Sequence, residues 1–264
     1  MQYVFFSRFG QALYNAHRGT LPDEVAGSRG CTSLAGPVFA AVEALVAAQL
    51  GTTGELRPTT DILDDLHGYA AIQDTSVKRA RASGALSVVN GMVAKLSAAG
   101  HVELEGGATH PADLVIFATG FTKDYSLLST EVRSALDLGD DGLWLYRHML
   151  PPGIPGLVFV GSEIASSSNI LTHGLQAEWV ARYLTGAVPQ KSVEVMKREV
   201  EAIKEWKRSW MPATASRAAM VLLYQLAYHD RLMKDMGERH LRKANPFAEL
   251  FMPYTSQDYA GVFS

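Results

Sequence analysis

The sequence predicts an α/β fold, and three observations carry that prediction. The run Asp113-Leu114-Val115-Ile116-Phe117-Ala118-Thr119-Gly120-Phe121 sets four large apolar residues in a row without alternation and ends in small residues, the pattern of a strand buried on both faces. A second such run, Leu157-Val158-Phe159-Val160, ends at Gly161-Ser162, and the loop Ala165-Ser166-Ser167-Ser168-Asn169 leads from it into a helix from about Ile170. Short β-rich runs cluster before the first strand. Ligands of open α/β sheets collect at the carboxyl ends of strands, and small residues let a flat ligand approach the backbone there.

Composition narrows the function. With 264 residues, 47% hydrophobic and 19% charged, the chain can build a sizeable core in one or two domains. A formal charge of -3 and the lack of a long Lys/Arg run give no attraction to phosphate backbones, so nucleic acid is not an expected partner. The single cysteine, Cys31, excludes an internal disulfide and is compatible with a reducing, cytoplasmic setting. No apolar run reaches bilayer length, so no transmembrane segment is expected. The longest, Val38 to Leu50, is interrupted by Glu43 and Gln49 and reads as a buried helix.

From the start, Met1 to Arg18 is aromatic and free of acids, a loose likeness to an organelle transit peptide. Phe5, Phe9 and Leu13 fall at helical spacing, and a packed helix is the preferred reading. Helical structure is expected to about Leu50, broken at Leu21-Pro22-Asp23 and across the Gly- and Ser-rich 27–36. Gly51 to Asp61 reads as a loop, and Ile62 to Tyr69 as a short helix with Asp61 near its N-cap. Leu86 to Val89, Gly91 to Leu96 and His101 to Leu104, parted by turn signals at Asn90-Gly91 and Ala99-Gly100, predict an antiparallel meander entering the central strand.

After Gly120, a polar helix is expected around Ser129 to Leu136, then a turn at Asp140-Asp141-Gly142 into a strand-like Leu143 to His148. Pro151 to Gly156 is a rigid connection, because proline fixes φ and cannot donate to a ladder. The helix from Ile170 carries Leu171, Leu175 and Trp179 on one face and a Glu178–Arg182 pair on another, and closes at Thr185-Gly186. Lys191 to Trp210 is amphipathic, with Val193, Met196, Val200 and Ile203 as its stripe, and Met211-Pro212 ends it. A more apolar helix is expected over Ser216 to Met236, closed at Gly237.

The eight histidines show no i,i+3 or i,i+4 pairing, so a zinc or di-iron site is not expected. His173, one turn into the helix from Ile170, is assigned no catalysis. No Gly-x-Ser-x-Gly elbow supports a serine hydrolase.

Three stretches resemble one family. Asp113 to Phe121 resembles the D-x-V-I-x-A-T-G-(Y/F) segment that links the FAD and NADPH domains of flavin-containing monooxygenases and the related Baeyer-Villiger monooxygenases. The succession of apolar strand, Gly161-Ser162, polar loop and helix resembles their return to the FAD domain, where loop and helix start meet the pyrimidine side of the flavin. Tyr228 to Gly237, Arg242-Lys243, Asn245, Phe247-Ala248-Glu249, Phe251, Pro253-Tyr254 and Asp258-Tyr259 look like the C-terminal region of the plant-type members.

The resemblance implies the C-terminal half of an incomplete flavoprotein fold with two dinucleotide-binding domains and a helical C-terminal extension. Residues 1–123 would be the remainder of the NADPH-binding domain, 124–190 the C-terminal part of the FAD-binding domain, and 191–264 an extension packing on it. The implied cofactor-side residues are Thr119 and Gly120 at the domain junction, and Gly161, Ser162, Ser168, Asn169, Ile170 and Gln176 beside the flavin. Free amides at a helix start favour the negative charge of a reduced flavin near N1 and the C2 oxygen, and this is compatible with Ser168 or Asn169 as a plain N-cap. Gln176 either reaches the cofactor or is solvated. The implied activity is oxygenation of nitrogen or sulfur nucleophiles in a small-molecule substrate, using FAD, NADPH and O2. Alternatives are a Baeyer-Villiger oxygenation and a non-catalytic fragment or interaction module. Neither of the family's two Gly-x-Gly-x-x-Gly turns is present. A missing N-terminal half or a partner chain is therefore expected to be needed for cofactor binding, and catalytic side chains are not assigned.

Overall fold

Residues 6–15, 32–51, 54–57 and 75–263 are described by a computed structural model. They divide into two compact units, one of 6–15, 32–43 and 130–263, the other of 44–51, 54–57 and 75–129. The expected turn at Leu21-Pro22-Asp23 and the short helix at Ile62 to Tyr69 lie outside the described residues.

The larger unit is built on helices α1 (Arg8–Asn15), α4 (Thr130–Ala135), α5 (Asn169–Leu184), α6 (Val193–Arg208), α7 (Gln225–Asp235) and α8 (Pro246–Phe251), with α2 (Thr32–Leu50) crossing the unit boundary and α3 (Thr75–Ala82) in the other unit. Leu175 and Trp179 of α5, Met196 and Val200 of α6, and Leu232 and Met233 of α7 are buried together with Met149 and Leu150. Each such side chain contributes about 1.5–3 kcal/mol of burial free energy. The α6 stripe expected from the sequence is the face that packs. Its N-cap is Ser192, whose hydroxyl accepts from the Val195 N–H at 3.3 Å. Helix α1 joins this unit as the spacing of Phe9 and Leu13 predicts. Leu13 is buried, Phe9 packs on Phe251 with ring centroids 5.1 Å apart, and Arg8 pairs with Asp230 and Glu249.

Three expectations in this unit are corrected. Leu143 to His148 is not a strand beyond Leu143: the ladder there joins Leu138–Gly139 (β4) to Gly142–Leu143 (β5). The chain then closes a buried turn, bridged at Tyr146 and Leu150, with Arg147 (φ 54) and His148 (φ 56) left-handed. That turn is held because the Arg147 guanidinium is engaged by Asp235 (2.6 Å) and Glu199 (2.7 Å). Leu157 to Val160 has no ladder and is half exposed. The helix expected from Ser216 begins only at Gln225, preceded by a 3-10 turn, Leu222–Tyr224. Residues 217–221 are drawn out of helical bonding: Ala165 N–H donates to Ala219 O, Val221 N–H donates to Ala165 O, and the buried Lys207 ammonium takes the carbonyls of Arg217 and Ala218.

In the smaller unit the meander forms with shifted membership. Strands β1 (Val93–Ser97), β2 (His101–Leu104) and β3 (Thr109–Pro111) pair antiparallel in that order, whereas Leu86 to Val89 is not a strand. The end of α2 is tied to α3 by Lys78, whose ammonium donates to the Ala48 carbonyl at 2.9 Å. Only Phe39 is buried among the described side chains of α2, so it is not the buried helix its composition suggested. The largest correction concerns Asp113 to Phe121. Among the described residues it pairs with no strand, and Leu114, Ile116 and Phe117 are 76, 79 and 70% exposed. Its pattern records an affinity for burial on both faces, and a strand forms only where another backbone supplies the ladder.

Candidate functional site

The site is built from the start of α5 and the loop that enters it. Gly161 turns with φ +76, and a Cβ there would stand 3.0 Å from the His173 ring, so the position requires glycine on both counts. Its amide donates to Gln176 Oε1 at 2.8 Å. Gln176 is fully buried, and its Nε2 donates to the Tyr228 hydroxyl at 2.8 Å. It is therefore neither solvated nor presented outward, and its contact with the loop is through the Gly161 amide. Tyr228 completes this arm by donating to the Arg147 carbonyl at 2.8 Å, and burial pushes its phenol above the usual range.

A second arm holds the other end of the loop. The Ser167 amide donates to Gln225 Oε1 (3.0 Å), and Ser166 Oγ lies 2.7 Å from Thr172 Oγ1, which lies 2.8 Å from His229 Nε2. His229 Nδ1 meets the Tyr259 hydroxyl at 3.3 Å. Burial alone lowers the His229 imidazole to about 3, so it is neutral at physiological pH. Gln225, Tyr228 and His229 sit at i, i+3 and i+4 on α7, and each engages a different point of the loop and α5.

The helix start itself is left open. Ser168 occupies the N-cap position with no side-chain cap bond, and its amide donates to Ser166 Oγ at 3.3 Å. Asn169, the other candidate cap, turns its Oδ1 back to accept from the Ser166 amide at 2.8 Å. Ile170 is 92% exposed and Ser162 lies on an exposed turn. A helix start without a side-chain cap keeps backbone donors and a partial positive charge for an anion. Thr119 and Gly120 belong to the other unit, on the exposed run, with Gly120 at φ +79.

The structure thus brings Gly161, Ser168, Asn169, Ile170 and Gln176 together around one helix start. Sequence reasoning missed Thr172, Gln225 and His229. The available signal was His229 falling on the stripe of Leu226 and Met233, where a polar residue must find a partner. Beside this site, a cavity of about 60 Å3 is lined by Trp144, Tyr146, Val200, Tyr224 and Tyr228. Among the described residues no group of His, Cys, Asp and Glu could hold a metal ion, and no helix is long and apolar enough to cross a membrane.

Comparison with known proteins matches residues 73–242 to the family model described as flavin-binding monooxygenase-like. A probable flavin-containing monooxygenase 1 of Arabidopsis thaliana is 31% identical over 161 residues, covering 60% of this chain and 30% of that protein. The FAD-dependent monooxygenase DEP4 of Fusarium langsethiae is 30% identical over 122 residues, 44% of this chain and 21% of that one. The solved structure of S-allyl-L-cysteine S-oxygenase from Allium sativum aligns with TM-score 0.45 and 25% identity over 56% of this chain and 33% of that chain. These matches span about a third or less of each relative's length.

Proposed function

The chain belongs to the flavin-binding monooxygenase-like family, and from that premise we propose that it forms the flavin-ring side of a monooxygenase that uses FAD and NADPH to oxygenate a nitrogen or sulfur nucleophile. The observation that carries the reading is the start of α5, which no side chain caps and which two buried polar arms hold in place. A reduced flavin is anionic at its pyrimidine end, and an open helix start fits that charge. When bound, the flavin supplies the redox chemistry and the activation of dioxygen. The residues of this chain position and polarise. Gly161 and Ser162 allow close approach, Asn169 and Ile170 offer backbone donors beyond Ser168, whose amide is tied to Ser166 Oγ, and Gln176 fixes Gly161 from behind.

In this reading residues 1–123 contribute to an NADPH-binding domain, with Thr119 and Gly120 at its junction and with α1 and residues 32–43 packed in the larger unit, residues 124–190 to the FAD-binding domain, and residues 191–264 to its extension. The phosphate-gripping turns come from polypeptide beyond this sequence, either in the same chain or in a partner. The exposed run 113–121 supports that requirement, because an apolar segment patterned for burial calls for cover. The same exposure favours a second reading, an interaction module without catalysis.

The test is a fusion of this chain behind the N-terminal portion of a relative that carries both Gly-x-Gly-x-x-Gly turns, assayed for NADPH consumption with a thioether, a tertiary amine and a ketone. The expected result is a yellow protein forming sulfoxide or N-oxide. Ester formation from the ketone would move the assignment to Baeyer-Villiger chemistry. A folded, colourless fusion, beside a yellow control carrying the relative's own C-terminal part, would refute the flavin-side role.

A further inference from the structure

Resting on the flavin-side reading of the α5 start, we infer that His229 is a positioning residue, fixed as its Nδ1–H tautomer by Tyr259 and acting through Thr172 and Ser166 on the loop that enters the helix. The direction of the hydrogen-bond chain follows from its acceptors. Asn169 Oδ1 can only accept, and it already receives the Ser166 amide at 2.8 Å, with the Ser166 hydroxyl farther off at 3.3 Å. Ser166 Oγ has one proton and two partners within reach, Asn169 Oδ1 at 3.3 Å and Thr172 Oγ1 at 2.7 Å, and the nearer, Thr172, is assigned as its acceptor. Thr172, which has one hydroxyl proton, passes its own to His229 Nε2 at 2.8 Å. A neutral imidazole that accepts at Nε2 carries its proton at Nδ1, which donates to the Tyr259 hydroxyl at 3.3 Å.

All four groups are buried, so water does not compete for these bonds. Ser166 Oγ, with its own proton committed to Thr172, is held as acceptor for the Ser168 amide, the last amide before α5. Reversal of the tautomer reverses the chain. Ser166 would then be driven to donate toward Asn169 across 3.3 Å, and the loop would lose its register with the helix start. The tail residue Tyr259, ninety residues beyond Asn169 in sequence, thereby sets the geometry of the donors offered at α5.

The test uses the isotopically labelled 264-residue chain without flavin. In the two-bond imidazole 15N spectrum, His229 is expected with Nδ1 protonated and Nε2 bare, unchanged between pH 5 and 8. Tyr259→Phe removes the acceptor for Nδ1–H. It is expected to populate the Nε2–H tautomer and to raise amide exchange at Ser167 and Ser168 roughly ten-fold, with α6 amides unchanged. Thr172→Val should have the same effect on the loop, and Thr172→Ser should restore protection. An Nε2–H tautomer in the unaltered chain would overturn the inference. So would loop protection that is unchanged in both variants, or protection lost evenly across the unit. Because no flavin enters these measurements, failure of the flavin reading would appear only in the fusion assay.

Discussion

At the scale of single residues, Gly161, His148 and His229 give the most direct predictions. Gly161→Ala adds a Cβ where φ is +76 and the His173 ring stands 3.0 Å away, so it is predicted to cost about 1–3 kcal/mol in urea denaturation. An unchanged midpoint would mean that the turn is not held as described. His229, facing Thr172, Tyr259 and Tyr228, is lowered to about 3 by burial. His148, facing Lys207, Arg147 and the Glu163 backbone, is also lowered, by burial first and then by Lys207. Both bind fewer protons folded than unfolded below the unfolded value of about 6.5, so stability is full above that pH and falls as pH drops toward the folded values. The His229 shift alone predicts a loss of about 1–1.5 kcal/mol between pH 7.5 and 5.5, and His148 adds to it in the same direction. Asp141, held low chiefly by Arg208, contributes stability that is lost only below about 4. A flat urea midpoint from pH 7.5 to 5.5 would contradict the neutral state of buried His229 and of half-buried His148. Few of these partnerships were legible beforehand. Spacing leaves Gln176 either reaching a cofactor or solvated, because it gives only a helix face, whereas the partners Gly161 and Tyr228 lie 15 and 52 residues away.

At the scale of elements, helices were read more reliably than strands, because a helix bonds within itself and a strand does not. Amphipathic α6 and the helix from Asn169 formed within about two residues of the expected bounds. Asp113 to Phe121 and Leu157 to Val160 carried the apolar pattern of strands but found no ladder among the described residues. The helix expected over 216–236 lost its first part to pairing with Ala165 and to the buried Lys207, contacts that no local window contains. The open start of α5 makes a prediction at this scale. Ile170 is 92% exposed in the first turn, so Ile170→Glu adds a negative charge where the dipole favours it and is predicted to stabilise by about 0.3–1 kcal/mol. Destabilisation in a urea titration would mean that Ile170 is packed or that the helix start is already satisfied.

At the scale of the whole molecule, the smaller unit exposes Leu114, Ile116, Phe117 and Phe121 along one segment. Such a patch predicts binding of a hydrophobic dye and concentration-dependent association. Phe117→Lys with Phe121→Glu is predicted to reduce both, with a change in folding stability within about 0.5 kcal/mol. A large loss of stability would instead show that these rings are part of a core.

The measurement closest to the central claim is the visible absorbance of the purified 264-residue chain after incubation with FAD and desalting. In the proposed reading the chain supplies the ring side of a flavin site, but its sequence carries no Gly-x-Gly-x-x-Gly turn to hold the pyrophosphate. Losing several charge-assisted backbone bonds, each worth roughly 1.5–3 kcal/mol, outweighs the roughly 0.3–2 kcal/mol that a helix start contributes. A colourless protein that does not oxidise NADPH is the expected result. A yellow protein retaining stoichiometric FAD would contradict it, and would place a phosphate-binding site within these 264 residues.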